Sequence, residues 1–194
     1  KVLDIINSSK IIVDHLHIPL QSGCDKTLRG MNRKYDMNYF MNKVLKIRKI
    51  RPNISLTTDV IVGFPGETNS DFETTYNNIK TINFSKIHVF PYSVRKGTKA
   101  EAMSNQVSEV VKKERVKSLL NLSKQLEICY MEKFRNQEVL FIPEVYHEPY
   151  LIGHTGNYLL IKALGVESLI NTEVTVIITD VSYPYCIASL KIKD

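Results

Sequence analysis

The chain has 194 residues, 43% hydrophobic and 24% charged, with a formal net charge of +6 and an isoelectric point of about 9.1. That is one large domain, or a medium one with a small companion, with enough apolar material for a sizeable core. No apolar run approaches the ~18–20 residues needed to cross a bilayer, and no signal-peptide pattern opens the chain, so no membrane partner is expected. Cys24, Cys129 and Cys186 are odd in number and far apart, which argues against a disulfide framework or a metal site built from this chain alone. Reduced thiols in a cytoplasmic protein are the expectation.

The opening "KVLDIINSSK" reads as the tail of a helix entered in mid-pattern. "HLHIPL" (15–20) is strand-like and ends at "QSG". "MNYFMNKVLKIRKI" (37–50) places Phe40, Val44, Ile47 and Ile50 at helical spacing, and Pro52 closes it. "ISLTTDVIVG" (54–63) is β-branched and apolar, as a strand buried on both faces should be. "NSDFETTYNNIKTI" (69–82) predicts a helix with Phe72, Tyr76 and Ile79 on one side. Thr68 and Asp71 have capping-box spacing at its start. "KIHVFPY" (86–92) predicts a third strand. A long helix over about 107–134 follows, with Val116, Leu119, Leu120, Leu126, Tyr130 and Phe134 as its stripe. Beyond it, "EVLFIPEVY", "YLIGHT", "NYLLIKA", "EVTVIITDV" and "YPYCIASLKI" are five strand-like runs. They fit a small five-stranded barrel, with Gly153, Gly156 and Asn157 supplying turn chemistry.

The first part is therefore α/β, in the order β-α-β-α-β-α, which implies a parallel sheet with right-handed crossovers. Active sites in such folds lie at the carboxyl ends of the strands, which gathers "QSGCD", "GFPGET" and "PYS" at one mouth. Charge is uneven. Residues 1–132 carry 21 Lys/Arg against 13 Asp/Glu, and residues 133–194 carry 5 against 7. Nine basic residues and one acidic residue fall within 26–51. A patch of this kind suits a polyanion such as RNA, although residues 43–51 alone read as a solvated helix face. The loop "KTLRGMNRK" (26–34) follows the first strand, so Arg29, Arg33 and Lys34 should rim the mouth. Three parallel strands leave a bare sheet edge, so the chain is expected to be part of a larger domain.

In "TTDVIVGFPGET" (57–68), Gly63 and Gly66 would let backbone approach a flat ligand, and Phe64-Pro65 would stiffen the turn. A tight strand-to-helix turn with a capping residue explains the same residues equally well.

Taken together, "HLHIPLQSGCDKTLRGMNRKY", "TTDVIVGFPGET" and "KIHVFPYSVRKGT" resemble the methylthiotransferases of the radical S-adenosylmethionine superfamily. "YLIGHTGNYLLIKA" with "YPYC" resembles the family's RNA-binding TRAM domain. The resemblance implies the C-terminal half of a partial (β/α) radical SAM barrel over 1–132, as three βα units, and a TRAM barrel over 133–194. "HLHIPLQSG", "HVFPYS" and "GHTGNY" lean towards the branch that methylthiolates N6-threonylcarbamoyladenosine in the tRNA anticodon region. The intact enzymes use S-adenosylmethionine, two [4Fe-4S] clusters, an electron donor and a sulfur source. The cluster motif CxxxCxxC, the Gly-Glu strand and the N-terminal domain of that family do not occur in this sequence. Cys24 stands where the family usually has Ser. The chain alone is expected to bind no cluster and to be inactive, with no catalytic or metal-binding residue assigned.

For the cofactor, the resemblance points to Gln21 and Ser22 near the ribose, Ile61 and Gly63 along the adenine, and Asp59 and Phe90 at the mouth. Turn capping for Gln21 and Ser22, a structural ion pair for Asp59, and a core position for Phe90 stay open. His15 and His88 read as structural. For RNA, His154, Asn157 and Tyr158 join Arg29, Arg33 and Lys34. A non-catalytic RNA-binding protein is the competing reading, and a phosphate-binding barrel enzyme is a weaker third.

Overall fold

The structure, a computed structural model, describes residues 2–191. Lys1 and residues 192–194 lie outside it, including the end of the last strand expected from the sequence. Two compact units form. The first takes residues up to Ser8, then Leu16–Pro52 and Leu56–Leu126; the second takes Ser9–His15, Asn53–Ser55 and everything from Glu127 onward.

Along the first part of the chain, α1 (Val2–Ser8) precedes β1 (His15–His17), a short α2 (Asp25–Gly30), α3 (Met37–Ile50), β2 (Ser55–Val62), α4 (Asn69–Ile82), β3 (Lys86–Pro91) and α5 (Glu109–Glu132), whose residues from Glu127 belong to the second unit. The sheet order is β1-β2-β3, and β2 and β3 pair in parallel, with Asp59 opposite His88 and Ile61 opposite Phe90. As expected for a central strand, six of the eight residues of β2 are buried, and only Asp59 and Ile61 are half-buried.

β1 stops earlier than its apolar run suggests, because Pro19 has no N–H to give the ladder. Thr58 repairs the gap. Its buried hydroxyl donates to Ile18 O at 2.7 Å and accepts from Leu20 N–H at 2.9 Å. Main-chain pairing resumes when Gln21 donates to Asp59 O and accepts from Ile61 N–H, both at 2.8 Å. Three residues of one chain thus pass two of the other, which is a bulge.

The helices begin where their caps dictate. Asp36 accepts from Tyr39 N–H at 2.7 Å at the start of α3. Thr68 and Asp71 form the capping box of α4 in both directions. The loop expected over 26–34 is in part α2, whose acidic Asp25 suits a helix start and whose Thr27 and Leu28 are buried. The buried face of α4 is Thr75, Ile79 and Ile82, with Phe72 and Tyr76 only half-buried. In α5, Leu120 is 49% exposed, and Leu119, Leu122 and Leu126 face inward instead. Leu120 sits about 100° round the helix from Leu119, whereas 122 and 126 return to the same side.

In the second unit, β4 (Glu138–His147), β5 (Tyr150–Thr155), β6 (Leu160–Leu164), β7 (Val174–Ser182) and β8 (Tyr185–Leu190) close into a barrel of order β4-β5-β6-β8-β7. Every pair is antiparallel except β6–β8. Phe141, Leu151, Ile161, Val176, Ile178 and Cys186 fill it completely, and Tyr130, Met131 and Phe134 join the same core. Gly153 is in β5 and not in a turn: a Cβ there would meet Ile142 O at 2.0 Å.

Candidate functional site

The segment after β1 at Gln21, the outer half of β2 and the carboxyl end of β3 border a cleft with two lobes. Gln21, Asp59, Ile61, Phe90, Tyr92 and Arg95 belong to the first, of about 490 Å³. Gln21, Arg29, Arg33, Ile61, Phe64, Tyr92 and Lys99 belong to the second, of about 590 Å³. Alternation puts Asp59 and Ile61 on the same face of β2, which is why these two positions alone open to the cleft.

Gln21 has a left-handed backbone (φ 69°) and lines both lobes. Among the described residues its side-chain amide has no partner. Asp59 has both roles left open by the sequence. It lines the cleft, and its Oδ2 stands 3.3 Å from His17 Nε2. His17 is fixed in turn by a 3.0 Å hydrogen bond between Nδ1 and Thr57 Oγ1. Phe90 is 49% exposed and forms wall, not core. Tyr92 lines both lobes, with its ring edge-on to Phe64 at 5.3 Å. Its hydroxyl is buried without a hydrogen-bond partner. Such a group carries the cost of its lost hydration.

Two expected cofactor residues point elsewhere. Ser22 is fully buried, its hydroxyl 3.2 Å from Thr75 Oγ1 and accepting from Cys24 N–H at 3.2 Å. Gly63 is also outside the cleft lining. Its φ of 73° and a 2.4 Å approach of any Cβ to Lys112 Cγ explain the glycine without a ligand. The "GFPGET" segment is a structural lock, which sequence reasoning missed. Glu67 accepts from Gly63 N–H at 2.9 Å and from Arg115 at 2.6 Å, and Arg115 also reaches Asn69 Oδ1 at 2.9 Å. Burial pushes the Glu67 carboxyl up, against the downward pull of Gly63 and Arg115. A glutamate after a glycine turn and an arginine in the second turn of a long helix give no local signal of this contact.

The basic segment divides in two. Arg48 donates to Ile82 O and Asn83 O, capping the carboxyl end of α4, and Arg51 donates to Ile6 O at 2.9 Å. Those two are structural. Arg29 and Arg33 line the second lobe and, with Lys34, Tyr35, Asp36 and Tyr39, an outer groove of about 450 Å³. Lys34 lies only in the groove, where it donates to Asn32 Oδ1 at 3.2 Å.

On the barrel unit, Tyr158 is 61% exposed, with ring centroids 4.2 Å from His15 and 5.7 Å from His154. His154 Nδ1 is 2.9 Å from Glu144 Oε1. These three rings lie against one another, with Tyr158 exposed and the two histidines half-buried, and His15 adds a member that read as structural. Asn157 turns away from it. Its amide donates to Tyr130 Oη at 3.0 Å and accepts from Thr155 Oγ1. Asn157 holds the turn that carries Tyr158 and does not face outward with it.

The Radical SAM superfamily matches residues 1–79. A threonylcarbamoyladenosine tRNA methylthiotransferase, MtaB, of Bacillus subtilis is 44% identical over 190 residues, covering 95% of this chain and 42% of that protein. The chain is homologous to part of the radical SAM methylthiotransferases. A tRNA-2-methylthio-N(6)-dimethylallyladenosine synthase of Desulfitobacterium hafniense is 37% identical over 183 residues, 93% of the chain and 41% of its own length. MtaB of Thermotoga maritima is 44% identical over 132 residues, 68% and 30% respectively. The chain thus spans less than half the length of these relatives.

For such a relative, S-adenosylmethionine and iron-sulfur clusters are the implied cofactors. The first lobe suits a nucleoside-bearing ligand, since Gln21 brings a free amide, Asp59 a carboxylate, and Ile61 and Phe90 an apolar surface. Clusters find no such fit. Among the described residues no group of three or more His, Cys, Asp or Glu side chains could hold a metal ion, and the three cysteines are separate. No helix among the described residues is long and apolar enough to cross a membrane.

Proposed function

We propose that this chain is part of a tRNA-modifying enzyme that methylthiolates N6-threonylcarbamoyladenosine beside the anticodon. The convergence of Gln21, Asp59, Ile61 and Phe90 on one cleft at the strand ends carries the reading. S-adenosylmethionine, when bound, supplies the radical and the methyl group. The chain's own residues do the holding. Ile61 and Phe90 offer apolar surface to a purine, Gln21 offers hydrogen bonds, and Asp59, braced by His17, offers a carboxylate to ribose hydroxyls or an amine. Arg29, Arg33 and Lys34 attract tRNA phosphates along the outer groove. The barrel is a TRAM module whose His15–Tyr158–His154 row stacks bases. An electron donor and a sulfur source complete the reaction in the whole enzyme, which acts in the cytoplasm. The identity of 44% to MtaB favours the threonylcarbamoyl branch over the dimethylallyl branch.

The test is a chimera in which this chain replaces the matched region of Bacillus subtilis MtaB, expressed in a strain lacking MtaB. Mass spectrometry of tRNA nucleosides should show 2-methylthio-N6-threonylcarbamoyladenosine restored. Methylthiolation of dimethylallyladenosine instead would move the substrate to the other branch. A stably expressed chimera that modifies neither would refute the reading.

A further inference from the structure

The two lobes differ in charge. The first is lined by both the Asp59 carboxylate and Arg95. The second contains Arg29, Arg33 and Lys99 and no carboxylate, over a floor that includes Ile61 and Phe64. Among the described residues none of these three cations has a carboxylate partner. The loop that carries Lys99 is held by its own hydrogen bonds. Gly97 N–H donates to Glu101 at 2.7 Å, and Gln106 donates to Ala100 O and Met103 O at 3.0 Å each. Gly66 N–H, from the turn after β2, donates to Asn105 O at 2.7 Å. Glu101 is therefore occupied within the loop, and Lys99 is placed at the lobe by a tied segment.

Three cations over an apolar floor suit a flat base bearing an anionic substituent. Relatives of this chain are named for two substrates. The threonylcarbamoyl substituent ends in a carboxylate, and the dimethylallyl substituent is neutral and apolar. We infer that the second lobe receives the carboxylate of the substituent on the target base, with Lys99 as the residue that selects for it. This rests on the threonylcarbamoyladenosine reading above. Lys99 is separable from general RNA attraction because Arg29 and Arg33 line both the lobe and the outer groove, Lys34 lines only the groove, and Lys99 only the lobe.

The test uses anticodon stem-loop RNAs that carry threonylcarbamoyladenosine, dimethylallyladenosine or adenosine at the target position. Fluorescence anisotropy reads their binding to the full 194-residue chain. The carboxylate-bearing RNA should bind about tenfold more tightly than the dimethylallyl RNA. Lys99→Met should remove most of that preference by weakening the carboxylate-bearing RNA far more than the dimethylallyl RNA, and Lys99→Arg should restore it. Lys34→Ala should weaken all three RNAs alike. Equal binding of the modified RNAs, or a uniform loss in Lys99→Met, would overturn the assignment while leaving the tRNA reading intact. Failure to bind any stem-loop would overturn both.

Discussion

Arg115 donates to Glu67 Oε1 at 2.6 Å, and the two side chains are only 6% and 1% exposed. This pair fastens the second turn of α5 to the turn that follows β2, the turn that borders the cleft through Phe64. A buried ion pair adds little over an apolar pair of the same shape, but removing one partner strands a charge. Arg115→Met should therefore cost roughly 3–5 kcal/mol in urea unfolding of the chain. Pairing it with Glu67→Leu should recover part of that loss. Equal losses in the single and double variants would mean that the charge on Glu67 was never the problem.

Acid should loosen the start of α4. Burial alone would raise the Asp71 pKa, but hydrogen bonds from Lys26, from the Thr68 backbone and hydroxyl, and from Cys24 outweigh it and hold the carboxyl well below the usual carboxylate range. The folded value is thus below the unfolded one, about 3.9. The contribution is complete above that pH and is lost as pH falls below it. Asp71→Asn should cost roughly 1–2 kcal/mol at pH 7. The gap from the parent should narrow below about pH 4. A gap that holds constant down to pH 3 would assign the loss to packing.

Salt should separate phosphate attraction from stacking. Replacing Arg29, Arg33 and Lys34 together with Ala should reduce the slope of log affinity for tRNA against log salt by roughly 2. Tyr158→Ala should weaken binding by about 1–3 kcal/mol with the slope retained. An unchanged slope in the triple variant, with binding lost in Tyr158→Ala, would place the RNA contact on the barrel instead.

Thiol titration reports on burial. Cys24 and Cys186 are buried and Cys129 is exposed. Burial pushes the Cys186 thiol up to about 12, so at pH 8 it is protonated and unreactive. An aromatic disulfide reagent should modify one thiol in the native chain and three in urea. Rapid native modification of Cys186 would show that the barrel core opens.

The sequence exposed what depends on local patterns. The three strands, the α4 capping box and the five-stranded barrel follow from periodicity and turn chemistry within a few residues. Half-burial of Asp59 and Ile61 follows from alternation once β2 is known to be central. Contacts between distant residues were not visible. Nothing near Ser22 announces that Thr75 will take its hydroxyl, and nothing near Gly63 announces the stem of Lys112. Asn157 was misjudged for the same reason, since its partner Tyr130 lies 27 residues away. Gln21, Asp59, Ile61 and Phe90 line the cleft because strand order and alternation set which way they face.

The bulge at Pro19 gives residues 18–20 a sensitivity that their chemistry does not suggest. Thr58 lets three residues pass two, and that offset decides that Leu20 is wholly buried while Gln21 lines the cleft. A side-chain change at Ile18 alters one contact. Deleting a single residue there would shift the parity of everything after it, sending an amide towards the core and a leucine towards the ligand. Spacing, more than residue identity, is the constraint on this stretch, so variants that keep its length should outlast those that change it.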